Sequence, residues 1–242
     1  MFDLRKFTLR DMSELGSALR RLGDGAHSME EVANRVVREL YDHLIERDSG
    51  KRCCALVRLF KTHPYGELDE RLRIVAQGLL HGETPTPAMR CLILLATAGD
   101  KPQWNSRRES VAHQVIPLVS AEMLSKVPMI SNLLQQLGVE VEVLLNPNSG
   151  LLVESGPSSF NVFYVPDAVQ SPYIPAQEHF VRPLGIRSVL GFGGMLPSGD
   201  IFAVILFSKV SIPRETAELF RTLALNVKVA ALPFQEAVFQ SA

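Results

Sequence analysis

The sequence predicts an α+β fold, an antiparallel sheet of five to six strands flanked by N- and C-terminal helices, and three patterns carry that prediction. Between Leu184 and Lys209 two β-rich runs flank Pro197-Ser198-Gly199-Asp200, the pattern of a hairpin in which Gly199 supplies a positive φ. Directly after it, Leu219, Phe220, Leu223, Ala224, Val227 and Ala231 recur at helical spacing behind Pro213, a proline placed where no hydrogen bond is lost. Upstream, Cys53–Lys61 and Met89–Thr97 are β-prone, mostly apolar runs of the length of buried strands.

The remaining elements follow in chain order. Thr8 and Asp11 mark a helix start, after which Met12, Leu15, Leu19 and Leu22 form a narrow apolar seam that ends at Gly23-Asp24-Gly25. Two roles fit that seam, covering the sheet or pairing with a partner chain. Ser28 and Glu31 form a capping box for a second helix, whose Val32, Ala33, Val36, Val37, Leu40 and Leu44 give a broad buried face. Thr62–Glu67 breaks the first strand, Leu68–Leu80 reads as a helix, and the strand Met89–Thr97 ends at Ala98-Gly99-Asp100. Residues 101–156 read as an elaboration on or beside the ligand side of the sheet. It holds the only tryptophan, Trp104, a short apolar run from His113 to Leu118, and a helix from Pro128 with Met129, Ile130, Leu133, Leu134 and Leu137 on one side. Its last parts are an alternating strand through Val139, Val141 and Val143 and a turn at Asn146–Gly150. Phe160–Val165 is the next strand, and Ala176–Arg182 is a short helix held between Pro175 and Pro183.

Whole-chain properties narrow the function classes. With 242 residues, 46% hydrophobic and 21% charged, the chain has the composition of a globular protein with a sizeable core, and no low-complexity linker divides it. A formal charge of −1, from 25 basic and 26 acidic residues spread along the chain, offers no footprint for nucleic acid or anionic lipid. The apolar runs Cys91–Ala96 and Ile201–Phe207 are too short to insert into a membrane. Asp3, Arg5, Lys6, Arg10, Asp11 and Glu14 interrupt the N-terminus in a way no signal peptide shows, so a cytoplasmic protein is expected. Cys53, Cys54 and Cys91 have no metal-type spacing and read as buried thiols. His113 has no second ligand at metal spacing, and Gly191, Gly193 and Gly194 open no helix that could cradle a phosphate.

The order strand, turn, strand, closing helix resembles the C-terminal third of a GAF domain, the small-molecule sensory module. The resemblance runs over about residues 26–233 and is clearest at Phe160–Asp167 and Gly185–Leu232. It implies a profilin- or PAS-type sheet, with residues 1–25 as a dimerisation or linker helix and residues 26–242 as the sensory domain. Phe163 and Asp167 match part of the cyclic-nucleotide motif of such domains, but Ala168 stands where that motif has Glu and no Asn-Lys pair precedes Phe163. No cysteine lies beyond residue 91 to attach a bilin. His179 is the histidine best placed for a haem. The adjacent Cys53 and Cys54 point to opposite faces of a strand, a poor pair for the methionine sulfoxide reductases built on this fold.

The resemblance thus implies a non-enzymatic regulatory domain of a bacterial histidine kinase, cyclase or phosphodiesterase. It would act as a homodimer, sense an unidentified small molecule and relay its state through the terminal helices to a kinase or cyclase. The alternatives are a ligand-free dimerisation module and a reductase of the methionine sulfoxide type. No cofactor is named by any motif. The expected ligand site lies between the sheet and the stretch Phe160–Phe192. Its apolar lining is Phe163, Tyr164, Tyr173, Ile174, Phe180, Leu190 and Phe192; its polar groups are Asp167, His179, Arg182 and Ser188, with Arg182 able to grip a carboxylate or phosphate through two parallel hydrogen bonds.

Overall fold

A computed structural model describes residues 1–80, 82–110, 113–120, 128–136 and 162–239. Its centre is β1 (Cys54–Pro64), a strand covered on both faces and buried almost throughout, including Arg58, Lys61, Thr62 and His63. It pairs antiparallel with β2 (Arg90–Gly99) on one side and β6 (Ile201–Ser208) on the other. With β3 (Val115–Pro117), β4 (Val162–Val165) and β5 (Ser188–Met195), the sheet has six strands in the order β3-β2-β1-β6-β5-β4. This is the expected α+β architecture, an antiparallel sheet of six strands flanked by N- and C-terminal helices. β5 and β6 form the expected hairpin, with Gly199 at φ +79° in the turn. His113–Leu118, read from sequence only as an apolar run, supplies the edge strand β3 against Cys91–Ile93.

One face of the sheet carries α1 (Leu9–Arg20), α2 (Met29–His43) and α5 (Arg214–Ala231). The Thr8 hydroxyl accepts from Asp11 N while Asp11 Oδ2 accepts from Thr8 N; the Ser28 hydroxyl accepts from Glu31 N, but Glu31 Oε2 accepts from His27 N, so only half of the expected box at α2 forms. α3 (Glu70–Leu79) precedes β2. The seam of α1 has its partner within the same chain. Leu15 and Leu19 are fully buried, and a Cβ on Gly16 would stand 2.9 Å from the Asn226 amide of α5, so glycine permits the close helix crossing. Phe2, Leu4 and Phe7 join the same core.

The opposite face carries α4 (Pro128–Gln136), the described part of the expected elaboration, and the loop from Pro166 to Arg187. The expected helix at Ala176–Arg182 is one π-helical turn, Gln177–Val181, with bonds from Val181 N to Ala176 O and from Arg182 N to Gln177 O. The expected strand at Val139–Val143, the turn at Asn146–Gly150 and the first residues of the Phe160 strand lie outside the described residues. Among the described residues, no helix is long and apolar enough to cross a membrane.

Candidate functional site

Strand alternation decides which side chains can meet a ligand. On β1 it turns Leu56, Arg58 and Phe60 to the α4 face; on β6 it turns Ile205 and Phe207 the same way, while Leu206 and Val204 join the α1–α2–α5 core. Leu133 of α4 settles over Gly191 and Phe163, and a Cβ at Gly191 would stand 3.2 Å from each. Between this part of the sheet, α4 and the Pro166–Arg187 loop lies a cavity of about 300 Å³, at the lower end of the range of small-molecule pockets. Leu92, Ile116, Met129, Ile130 and Pro175 complete much of its apolar wall.

The loop is held in shape by side chains. Gln177 Nε2 donates to Ala168 O (2.9 Å) and Ile174 O (2.6 Å), and its Oε1 accepts from Gln170 N (2.9 Å). Ser188 Oγ donates to Pro166 O (2.8 Å) and accepts from Ile212 N (3.1 Å). A run of aromatic rings crosses the cavity wall edge to face, Trp104 to Phe180 at 5.8 Å and Phe180 to Phe207 at 4.9 Å between centroids. The Asn105 side chain, bonded to both Gly99 N and Gly99 O, fixes the turn that presents Trp104.

Two titratable groups line the cavity, Arg58 and His113. Arg58 is 8% exposed and its Nη2 donates to the Ser110 hydroxyl at 3.2 Å. Its Nε is buried with no acceptor, and among the described residues no carboxylate pairs with it. Burial alone holds its pKa at about 10. His113 stands solvent-exposed at the rim in a left-handed conformation, φ 62°. The protein atoms around it, and next the charge of Arg58, push its pKa below the ordinary histidine value.

The expected site residues divide sharply against this geometry. Ile174 and Phe180 line the cavity, and Phe163 is buried in the same layer beneath Leu133. Tyr164, Leu190 and Phe192 have the opposite strand parity. Leu190 and Phe192 lie in the core on the other face, Phe192 against Phe220, and the Tyr164 hydroxyl donates to Ile212 O. Ser188 shares that parity and acts as the staple already described. Asp167 is exposed and accepts from Val169 N (2.9 Å), tying down a turn; Tyr173 is 42% exposed; His179 is exposed on the π-helical turn. Arg182 is exposed beside Glu178 at 3.4 Å, so the expected anion grip is on the surface and not in the cavity. The residues missed are Arg58, Trp104 and the α4 side chains. The signal for Arg58 is a charged residue between Leu56 and Phe60 on the apolar face of the central strand.

A second buried polar cluster lies at the β5–β6 turn. Asp200 accepts from Lys61 Nζ (2.8 Å), Arg90 Nη1 (2.6 Å) and the Thr62 hydroxyl (3.2 Å), and Lys61 is only 1% exposed. Through these bonds Asp200 ties β1, β2 and β6 together, the arrangement of a structural lock. The three cysteines are buried in the core on the face away from the cavity; Cys53 and Cys54 share that core instead of pointing to opposite faces, because Cys53 precedes β1 and an irregularity separates Cys54 from Leu56.

No family model matches the chain, and no curated protein matches it. Solved structures that it resembles are GAF domains. One, from a phosphoenolpyruvate-protein phosphotransferase of Coxiella burnetii, is 13% identical with 93% of each chain covered and a TM-score of 0.45. Another, from an Acinetobacter phosphoenolpyruvate-protein phosphotransferase, is 13% identical over 91% of this chain and 92% of that one, TM-score 0.40. A third, the phycoerythrobilin-bound GAF domain of a cyanobacterial phytochrome, is 11% identical over 94% and 98%, TM-score 0.42. At such identities the likeness is one of architecture, and the chemistry of the cavity is set by this chain's own residues.

Proposed function

We propose that the chain is the small-molecule-sensing regulatory module of a bacterial, cytoplasmic signal-transduction protein, of the histidine kinase, cyclase or phosphodiesterase kind. The observation that carries this reading is the cavity of about 300 Å³ under the Pro166–Arg187 loop. A domain whose role is structural gains from filling such a space, because empty volume forfeits dispersion contacts. The prolines and the Gln177 clamp hold the loop near one shape, which lowers the ordering entropy lost when a ligand enters. A reductase reading finds less support: Cys53, Cys54 and Cys91 sit away from the cavity, and burial raises the pKa of each.

The relay in this reading runs through a homodimer. Its support is the outer stripe of α5, where Leu225, Val229 and Leu232, at helical spacing, are 42%, 40% and 36% exposed. A downstream kinase or cyclase would receive the signal from the terminal helices. Thermal-shift screening of the full chain against nucleotides, small acids and aromatic metabolites tests the core of the proposal. It is expected to return a ligand whose binding disappears in Ala176→Phe, a cavity-filling change, and persists in Glu14→Ala. A binder indifferent to Ala176→Phe contradicts the assignment.

A further inference from the structure

Arg58 is the feature of the cavity that packing does not explain. A guanidinium offers five N–H donors in a planar fork and is charged at neutral pH. Arg58 has Ser110 as its acceptor, and its Nε is buried without one. Other buried cations among the described residues are neutralised: Lys61 and Arg90 share Asp200, and Arg107 pairs with Glu30 at 2.6 Å. Arg58 departs from that pattern on the wall of the largely apolar cavity, between Leu56 and Phe60 of the same strand face. No acidic side chain is among the described residues lining that cavity. An arginine so placed is incomplete by itself and complementary to a planar anion.

The rest of the wall limits what carries the anion. Leu56, Phe60, Leu92, Ile205 and Phe207 surround the arginine with hydrocarbon, and the Trp104–Phe180–Phe207 rings form one side. A phosphate dianion needs more donors than the described wall supplies, because Arg58 is the one permanent cation among the described residues lining it. A single planar charge on an apolar body matches both parts. Resting on the reading of the cavity as a ligand site, we infer that it selects an apolar monocarboxylate, the carboxylate paired with Arg58 and the hydrocarbon or aromatic body packed beneath Trp104, Phe180 and Phe207.

The test uses matched acid and amide probes on the full chain: decanoate, dodecanoate and 4-phenylbutyrate against their primary amides, with phenyl phosphate as a dianion control, measured by isothermal titration calorimetry. At least one acid is expected to bind more tightly than its amide by on the order of 10- to 100-fold, the discrimination of a charge-assisted pair. Arg58→Met should abolish that preference while leaving the weak amide binding in place, and Arg58→Lys should restore part of it. Circular dichroism confirms that each variant is folded. Equal binding of acid and amide by the wild type overturns the carboxylate assignment but leaves the cavity a ligand site. Discrimination that survives in Arg58→Met, or tighter binding of phenyl phosphate than of any acid, also overturns it. If no acid and no amide binds, both this inference and the ligand-site reading fall.

Discussion

Replacing Arg58 by methionine should stabilise the ligand-free protein, an unusual direction for a change at a buried residue. Burial holds the Arg58 pKa at about 10, against an ordinary arginine value of about 12.5. The difference corresponds to roughly 3 kcal/mol by which folding disfavours the charged form. Methionine removes that penalty, fills similar volume and follows irregular surfaces well. Against the gain stands the hydrogen bond to Ser110 at 3.2 Å, about 1 kcal/mol. The expected net is a gain of about 1–2 kcal/mol, or a rise in Tm of roughly 3–6 °C for a chain of this size. Urea denaturation without ligand measures it. The pH dependence supplies a second readout. Because the folded pKa is depressed, the penalty is present in full below about pH 10 and fades above it as the folded-state group loses its proton. The gap between variant and wild type should thus be flat from pH 6 to 9. A loss of more than about 1 kcal/mol in Arg58→Met, beyond the error of the extrapolation, would refute the reasoning and place Arg58 among the structural groups.

Asp200→Asn should destabilise by about 3–5 kcal/mol, since Lys61 and Arg90 would be left buried without their counter-charge; chemical denaturation showing less than about 1 kcal/mol contradicts the lock. His63 is held at about 4, first by burial and then by the Lys61 charge, below the ordinary value near 6.5. The unfolded chain therefore takes up its proton first, so stability should fall by up to about 3 kcal/mol as pH drops from 6.5 toward 4, and His63→Leu should flatten that slope. The cysteines should resist labelling in the native protein, because burial pushes Cys91 to about 12 and raises Cys53 and Cys54. Complete reaction of any of them with a thiol reagent within seconds counts against this.

The fold was legible where local chemistry and burial agree. The Gly199 turn, the Thr8 and Ser28 caps and the β-prone, mostly apolar start of β1 are each revealed by a short window of sequence. Elements made by pairing at a distance were less visible. Val115–Pro117 becomes a strand because β2 offers it an edge at Cys91–Ile93, information absent from the segment itself. The α1 seam carried a different ambiguity: Leu15 and Leu19 state that something covers them, and only the Gly16–Asn226 crossing shows that α5 of the same chain does so.

The site was harder to read for a related reason. Pooling Phe163, Tyr164, Leu190 and Phe192 ignored the alternation that sends Tyr164, Leu190 and Phe192 to the α5 side. Exposed polar residues in the loop, Asp167, His179 and Arg182, drew notice because loops carry function, yet solvent already satisfies such groups and they need no ligand. Arg58 differs in kind. A cation in a central strand must be matched by a counter-charge or by a ligand, and the choice shows only when every neighbour has been placed. Asp200 answers for Lys61, three residues further along β1. No described carboxylate answers for Arg58, and the empty volume beside it is where an answering group fits.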